Sequence, residues 1–233
     1  MAVTFTIINI GTLSMNRFWN EKARVRSPSS ACTLLQSGDL RILVDPSPDP
    51  EQLKTKLFAT TGLTPDDVDI VFLTHFHGDH RFGLELFTEK RLLMAEPALA
   101  EWRASSPSDT VLIDSFEPCG SSVADGIAAL GTPGHTLGHH SLSVTTDWGN
   151  LIVAGDAAMT RDFLREEEGF HNSVDFGRAT QTVRELKGES LRKSGKVRFI
   201  GFTVEEPWTG RELVKSGTVL RYEESSPTYR RHL

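Results

Sequence analysis

Residues 74–80 read Thr74-His75-Phe76-His77-Gly78-Asp79-His80, and this stretch decides the fold. It follows directly on Ile70–Leu73, a short run that is apolar throughout and most simply a buried strand. In extended backbone, residues two apart share a face. His75 and His77 therefore point to one side, while Phe76 points to the other, into the core. Gly78 allows a sharp bend, left-handed included. That bend turns Asp79 and His80 back toward the same place. Imidazole and carboxylate are the ligands that zinc, iron and manganese take. Any one of these histidines alone reads as a surface residue, and Asp79 alone reads as the N-cap of a following helix. Four donors at this spacing read as a metal site.

Two further pieces lie downstream. Thr132-Pro133-Gly134-His135-Thr136-Leu137-Gly138-His139 follows the strand-like run 127–130, and its Pro-Gly turn presents His135 from a tight loop. Asp156 closes the apolar run 151–154, and the C-terminal end of a buried strand is where α/β proteins place site residues. Leu43-Val44-Asp45-Pro46 resembles Val153-Ala154-Gly155-Asp156, each an apolar strand ending in Asp, which hints at a two-halved architecture.

Strands are expected at 3–10, 31–36, 40–44, 111–113, 142–145 and 197–200. Helices are expected from Asp49 or Pro50 to about residue 59, near 81–87, near 97–104 and over 179–191. Residues 11–30 form a long loop carrying Phe18 and Trp19, which either wall a pocket or pack the loop down. Strands interspersed with helices argue for a layered α/β or α+β protein.

The 233 residues are 38% hydrophobic and 24% charged, enough for a real core in one domain spanning 1–233. Lys+Arg 25 against Asp+Glu 31 gives a net charge of −6, which argues against a broad nucleic-acid-binding surface. The longest charge-free run, 126–146, holds three His, four Gly and a Pro, so it is no lipid-facing helix. The expected partner is a small molecule, with neither nucleic acid nor membrane. The apolar start lacks the flanks of a signal peptide, so the expected location is cytoplasmic. Cys32 and Cys119 read as two reduced thiols.

Together, the His-x-His-x-Asp-His stretch, the Pro-Gly-His loop and the Gly-Asp strand end resemble the metallo-β-lactamase fold superfamily, in its order and spacing, over residues 3 to 205. The resemblance implies an α/β fold built as a four-layer αββα sandwich with metals at one edge. It implies that His75, His77 and His135 hold a first metal, Asp79 and His80 a second, and that Asp156 bridges both. It makes Asp79 and Asp156 the candidate catalytic carboxylates. Zinc, as one or two ions, is the expected cofactor, with iron and manganese as alternatives. A homodimer is left open, since dimers are common among relatives.

The chain departs from the family pattern in one place. The family supplies a further His after the last long helix and strand, where this chain has Phe202 in Arg198-Phe199-Ile200-Gly201-Phe202-Thr203. No His stands between residues 172 and 231. The site is then mononuclear, or dinuclear with a labile second metal, or completed by another residue. His171 is the replacement candidate for that ligand, ahead of Glu205 and Glu206, and its other reading is a surface loop histidine. His139 reads as a supporting or structural residue.

Within the family, zinc β-lactamases usually carry Cys at the place of Asp156. Glyoxalase II adds a helical C-terminal region for which too few residues remain here. What remains is a single-domain hydrolase of a small ester, lactone or thioester that uses a metal-bound hydroxide. Met159 stands where N-acyl homoserine lactonases usually place a Tyr. Two other readings stay open. One is a mononuclear iron enzyme resembling persulfide dioxygenases, with His75, His135 and Asp156 as its facial triad. The other is a degenerate, non-catalytic metal-binding protein.

Overall fold

The computed structural model describes residues 2–147, 149–192 and 197–201, with side chains described to residue 188. Strands β1 (Thr4–Asn9), β2 (Cys32–Ser37), β3 (Leu40–Val44), β4 (Ile70–Leu73), β5 (Arg91–Ala95) and β6 (Phe116–Cys119) form one sheet in chain order. Its first two pairings are antiparallel and the other three parallel. Strands β7 (Ser122–Ala124), β8 (Ile127–Gly131), β9 (His140–Thr146), β10 (Gly149–Gly155) and β11 (Val197–Gly201) form the second, in the order β11-β10-β9-β8-β7. Only β10 and β11 pair in parallel.

Side-chain alternation along the strands shows how the layers stack. On β3, Ile42 and Val44 pack between the sheets, while Leu43 faces the other way. On β4, Ile70 and Phe72 pack between the sheets and Val71 and Leu73 face outward. β4 is thus buried on both faces, which is why it reads as an unbroken apolar run. The outward residues meet Leu53 and Leu57 of α1 (Pro50–Thr61) and Leu99 and Trp102 of α2 (Glu96–Ser105). On β10, Leu151 and Val153 face the first sheet, whereas Ile152 and Ala154 cluster with Leu186 of the long C-terminal helix Phe176–Arg192. The result is the αββα sandwich. Each fully buried Leu, Ile or Val in it contributes about 1.5–3 kcal/mol.

Local signals set the helix ends. The Asp49 side chain accepts from Gln52 N at 3.1 Å and Pro50 opens α1, while Gly62 ends it in the left-handed conformation. Two expected elements differ. The helix near 81–87 is only a single 3-10 turn, Leu84–Phe87, because Gly83 is pinned against the α1 entry by Gly83 N donating to Pro46 O at 2.8 Å. The expected strand at 111–113 is one helical turn, α3 (Thr110–Ile113), with Ile113 buried and Val111 88% exposed. A strand there would have to bury both faces' worth of this run, and only one side has a core to meet. The strands β5, β6 and β7 and the short helix α4 (Arg161–Glu166) have no counterpart in the sequence reading. The Phe176–Arg192 helix becomes α5. Among the described residues no helix is long and apolar enough to cross a membrane.

Candidate metal centre

The site lies where several strands end together. Asp45 follows β3, residues 74–80 follow β4, His135 stands on the loop between β8 and β9, and Asp156 follows β10. His75 Nε2, His77 Nδ1, His135 Nε2 and an Asp156 carboxylate oxygen form a group whose ligand atoms all lie within 4.8 Å of one another. His77 Nδ1 is 2.9 Å from His75 Nε2 and 3.0 Å from His135 Nε2. Asp156 Oδ2 is 3.0 Å from His135 Nε2 and 3.9 Å from His75 Nε2. As expected, Phe76 turns away from this cluster and stacks on Trp102 at 6.0 Å and 16°. Gly78 needs no left-handed backbone; the bend is a 3-10 turn over Gly78–His80.

Hydrogen bonds fix which atoms face inward. Thr74 N and Oγ1 both donate to the Asp45 carboxylate, each at 2.9 Å. With its proton so used, Thr74 Oγ1 accepts from His75 Nδ1 at 3.1 Å, which leaves the lone pair on His75 Nε2. A second chain starts at His139. Asp156 N donates to His139 Nε2 at 3.2 Å, so His139 carries its proton on Nδ1 and donates it to Thr132 Oγ1 at 2.8 Å. Thr132 Oγ1 passes on to Ser141 Oγ at 2.8 Å, and Ser141 Oγ donates to Ala154 O at 2.9 Å. The buried His139 therefore holds the Asp156 backbone to β9 and β10.

His80 sits between two carboxylates, with Nδ1 3.0 Å from Asp45 Oδ2 and Nε2 3.1 Å from Asp156 Oδ1. The two Asp residues that look alike in sequence thus grip one imidazole from opposite sides. Each ends its strand through a positive φ, 50° at Asp45 and 54° at Gly155. Asp79 is half-buried, and its carbonyl accepts from Ser47 Oγ at 2.6 Å and from Ser30 N at 3.2 Å. Asp79 and His80 stand beside the four-donor group and are not part of it. His171 is not part of it either. Its ring lies 4.4 Å from that of Phe170 and is exposed to the charge of Arg17. Phe202 falls outside the described residues.

Burial sets the protonation of the donors. It holds the imidazole of His75 well below the usual histidine range, and it lowers His77 to about 4, helped by His135. Burial opposes charge on His80, but Asp156 and Asp45 outweigh it and raise its pKa well above that range. Burial also raises the Asp79 carboxyl. At 2.9–3.0 Å, His77 Nδ1 is within hydrogen-bond reach of both other imidazoles, so either a shared proton or a cation can sit among these nitrogens. Three imidazoles and one carboxylate are a donor set that fits a divalent ion.

In the metal-free protein these shifts have a sign. Groups with lowered pKa (His75, His77 and His139) stay neutral in the fold while the unfolded chain takes up protons below about 6.5. Stability is then lost as pH falls from about 6.5 toward 4. His80, whose pKa is raised, contributes stability below about 6.5 that is lost as pH rises through its folded value. Thermal unfolding of chelator-treated protein is expected to peak at pH 6–7 (~6.5) and to fall on both sides. A midpoint that rises steadily from pH 4.5 to 8.5 would contradict the His80 assignment.

A family model described as the metallo-beta-lactamase superfamily matches residues 27–193, well over half of the chain. The chain belongs to the metallo-beta-lactamase superfamily. An N-acyl homoserine lactonase of Bacillus sp is 28% identical over 158 residues, covering 62% of this chain and 60% of its own length. The metallo-beta-lactamase domain-containing protein 1 of Xenopus laevis is 32% identical over 139 residues, covering 59% of this chain and 55% of its own. The match to this chain therefore spans less than two thirds of these relatives. Among solved structures, an N-acyl homoserine lactone hydrolase with the product N-hexanoyl-L-homoserine bound at its catalytic metal centre superposes with a TM-score of 0.68. It is 21% identical and covers 88% of this chain and 94% of its own. At that identity the likeness shows the fold. The superfamily implies divalent metal binding, and the four-donor group could hold such an ion.

The sequence reading did not single out Asp45, Thr74, Thr132 or Ser141 as parts of the site. Only Asp45 left a trace, in the likeness of its strand end to that of Asp156.

Proposed function

We propose that this metallo-beta-lactamase superfamily member is a metal-dependent hydrolase of a small-molecule ester, lactone or thioester. The observation that carries the reading is the convergence of His75, His77, His135 and Asp156 within 4.8 Å. A metal ion bound there supplies Lewis acidity and hydroxide at neutral pH. His75, His77 and His135 are the residues that would hold the first ion. Asp156 reaches toward both His135 and His80, so Asp79 and His80 are the residues that would hold a second ion beside it. Asp79, half-buried beside the four-donor group, is the second candidate catalytic carboxylate next to Asp156. Met159 is buried with Leu13 and Phe163 and brings no hydroxyl to the site, so the reading stops at the ester, lactone or thioester class. His77 Nδ1 lies 2.9 Å from His75 Nε2 and 3.0 Å from His135 Nε2. That proximity supports a four-donor set over the open two-His, one-carboxylate triad of an iron dioxygenase.

Metal content per chain by plasma mass spectrometry, paired with hydrolysis of a lactone, thioester and aryl-ester panel, tests this. One or two zinc or manganese ions are expected, together with turnover that a chelator removes and added metal restores. His171→Ala is expected to keep its metal, because that ring lies outside the four-donor group. One iron per chain with oxygen uptake on glutathione persulfide would replace the hydrolase with the dioxygenase. Full metal loading with no turnover would leave a binding protein.

A further inference from the structure

Helix α2 presents two consecutive side chains to the two loops that carry the histidine donors. We propose that Glu101 and Trp102 are positioning residues that set the separation of these loops, so that α2 braces the metal centre. The proposal rests on the metal-site reading and does not depend on the substrate.

Glu101 grips the His135 loop. Its Oε1 accepts from Leu137 N at 2.8 Å and its Oε2 from Gly138 N at 2.6 Å. Both are charge-assisted bonds to consecutive backbone amides, two and three residues past His135. The loop lies directly on the helix start: a Cβ on Gly138 would fall 2.4 Å from Pro97 O and 2.5 Å from the Ala98 backbone.

Trp102 grips the loop of His75, His77 and His80. Its ring, fully buried, stacks on Phe76, the residue between the first two histidines, at 6.0 Å. The guanidinium of Arg81, the residue after His80, lies over the Trp102 ring, 4.8 Å from its centroid. Arg81 Nε donates to Phe76 O at 3.0 Å and closes the loop on itself. Arg81 Nη2 and Trp102 Nε1 both donate to Asp109 Oδ2, at 3.2 and 3.0 Å.

Neither Glu101 nor Trp102 is a member of the donor group; each acts through a loop that carries one or two of its members. The contact that depends on both loops is His77 Nδ1 to His135 Nε2, at 3.0 Å. From the other side the His135 loop is tied toward α5 by Val174 N donating to His135 O and by Thr182 Oγ1 donating to Pro133 O, at 3.0 and 2.7 Å. Loss of Glu101 therefore leaves the loop attached but free to slide relative to His77. Groups that orient metal ligands typically cost about 10–100-fold in metal affinity when removed.

The test uses Glu101→Ala, Glu101→Gln and Arg81→Met in the full chain. The zinc dissociation constant is read by competition with a chromophoric chelator, and the unfolding midpoint is read with and without zinc. Glu101→Ala and Arg81→Met are each expected to raise the dissociation constant about tenfold or more, with a smaller midpoint gain on adding zinc. Glu101→Gln keeps one acceptor and is expected to fall between Ala and wild type. An unchanged dissociation constant, with midpoints lowered equally in both forms, would make α2 a structural element only and overturn the proposal. A wild-type chain that takes up no zinc would remove the metal centre and the brace with it. Zinc bound without turnover of any substrate would count against the hydrolase reading alone, because the affinities would still report on the brace.

Discussion

Asp156→Asn is expected to leave the protein nearly metal-free at neutral pH and to cut hydrolysis about a thousandfold, ~4 kcal/mol of transition-state stabilisation. The substitution keeps the side-chain volume and removes the charge. Asp156 is the one carboxylate in the four-donor group and also the link between His135 and His80, at 3.0 and 3.1 Å. Burial opposes its ionisation, but His80 and His135 outweigh burial and hold its pKa well below the usual carboxylate range. At neutral pH it is therefore the negative charge that a divalent ion meets beside the imidazoles of His75, His77 and His135. Without it the imidazole donors have no charge to offset the ion's lost hydration. The metal-free protein is expected to weaken too, by about 3 kcal/mol, because a buried charged His80 loses one of its two carboxylates. Metal content by mass spectrometry and turnover of the best panel substrate give the answer. Full metal content with wild-type turnover in Asp156→Asn would remove Asp156 from the site.

The donors were legible because each sits in a short motif whose geometry is local. The two-residue spacing of His75 and His77 places them on one side of the chain. The Pro-Gly turn isolates His135, and the end of a buried strand exposes Asp156. What supports the donors was not legible, because it is remote in sequence. Asp45 reaches Thr74 across 29 residues, and Glu101 reaches Leu137 across 36. His139 looked like a supporting residue, but only the hydrogen bonds showed that it carries the Asp156 backbone. The same distinction explains the fold. β4 announces itself because both faces are buried. β5 does not, since it runs straight into α2 with no turn residue between Ala95 and Glu96. The Thr110–Ile113 run misleads for the opposite reason: Ile113 and Leu112 meet the core, while Val111, on the face of Ile113 in strand alternation, stands exposed.

Gly134→Ala is expected to be the most damaging single methyl group in the site region, and Gly78→Ala nearly silent. In sequence, Gly78 looks the more critical, because it lies among four donors. In the structure a Cβ on Gly78 finds its nearest neighbour, Phe82 Cε1, at 4.0 Å, and its φ is not positive. At Gly134 the φ is 133°, and a Cβ would lie 2.2 Å from Ala179 N and 2.3 Å from Ala179 Cα. Those atoms belong to the backbone of α5, which cannot rotate out of the way as a side chain would. Either α5 lifts from the second sheet or the loop moves, and the loop carries His135 one residue on. Backbone strain at such a φ and overpacking each cost about 1–3 kcal/mol, so a combined loss near ~4 kcal/mol is expected. In a chain of this size that corresponds to a midpoint about 10 °C lower. Gly78→Ala is expected to stay within about 0.5 kcal/mol of wild type. Thermal unfolding of both variants, with and without zinc, decides the matter. The gain on adding zinc should shrink in Gly134→Ala, because His135 is displaced, and persist in Gly78→Ala. A Gly134→Ala protein with wild-type stability and metal affinity would mean that the close seat of α5 on the Pro-Gly-His loop does not set the position of His135.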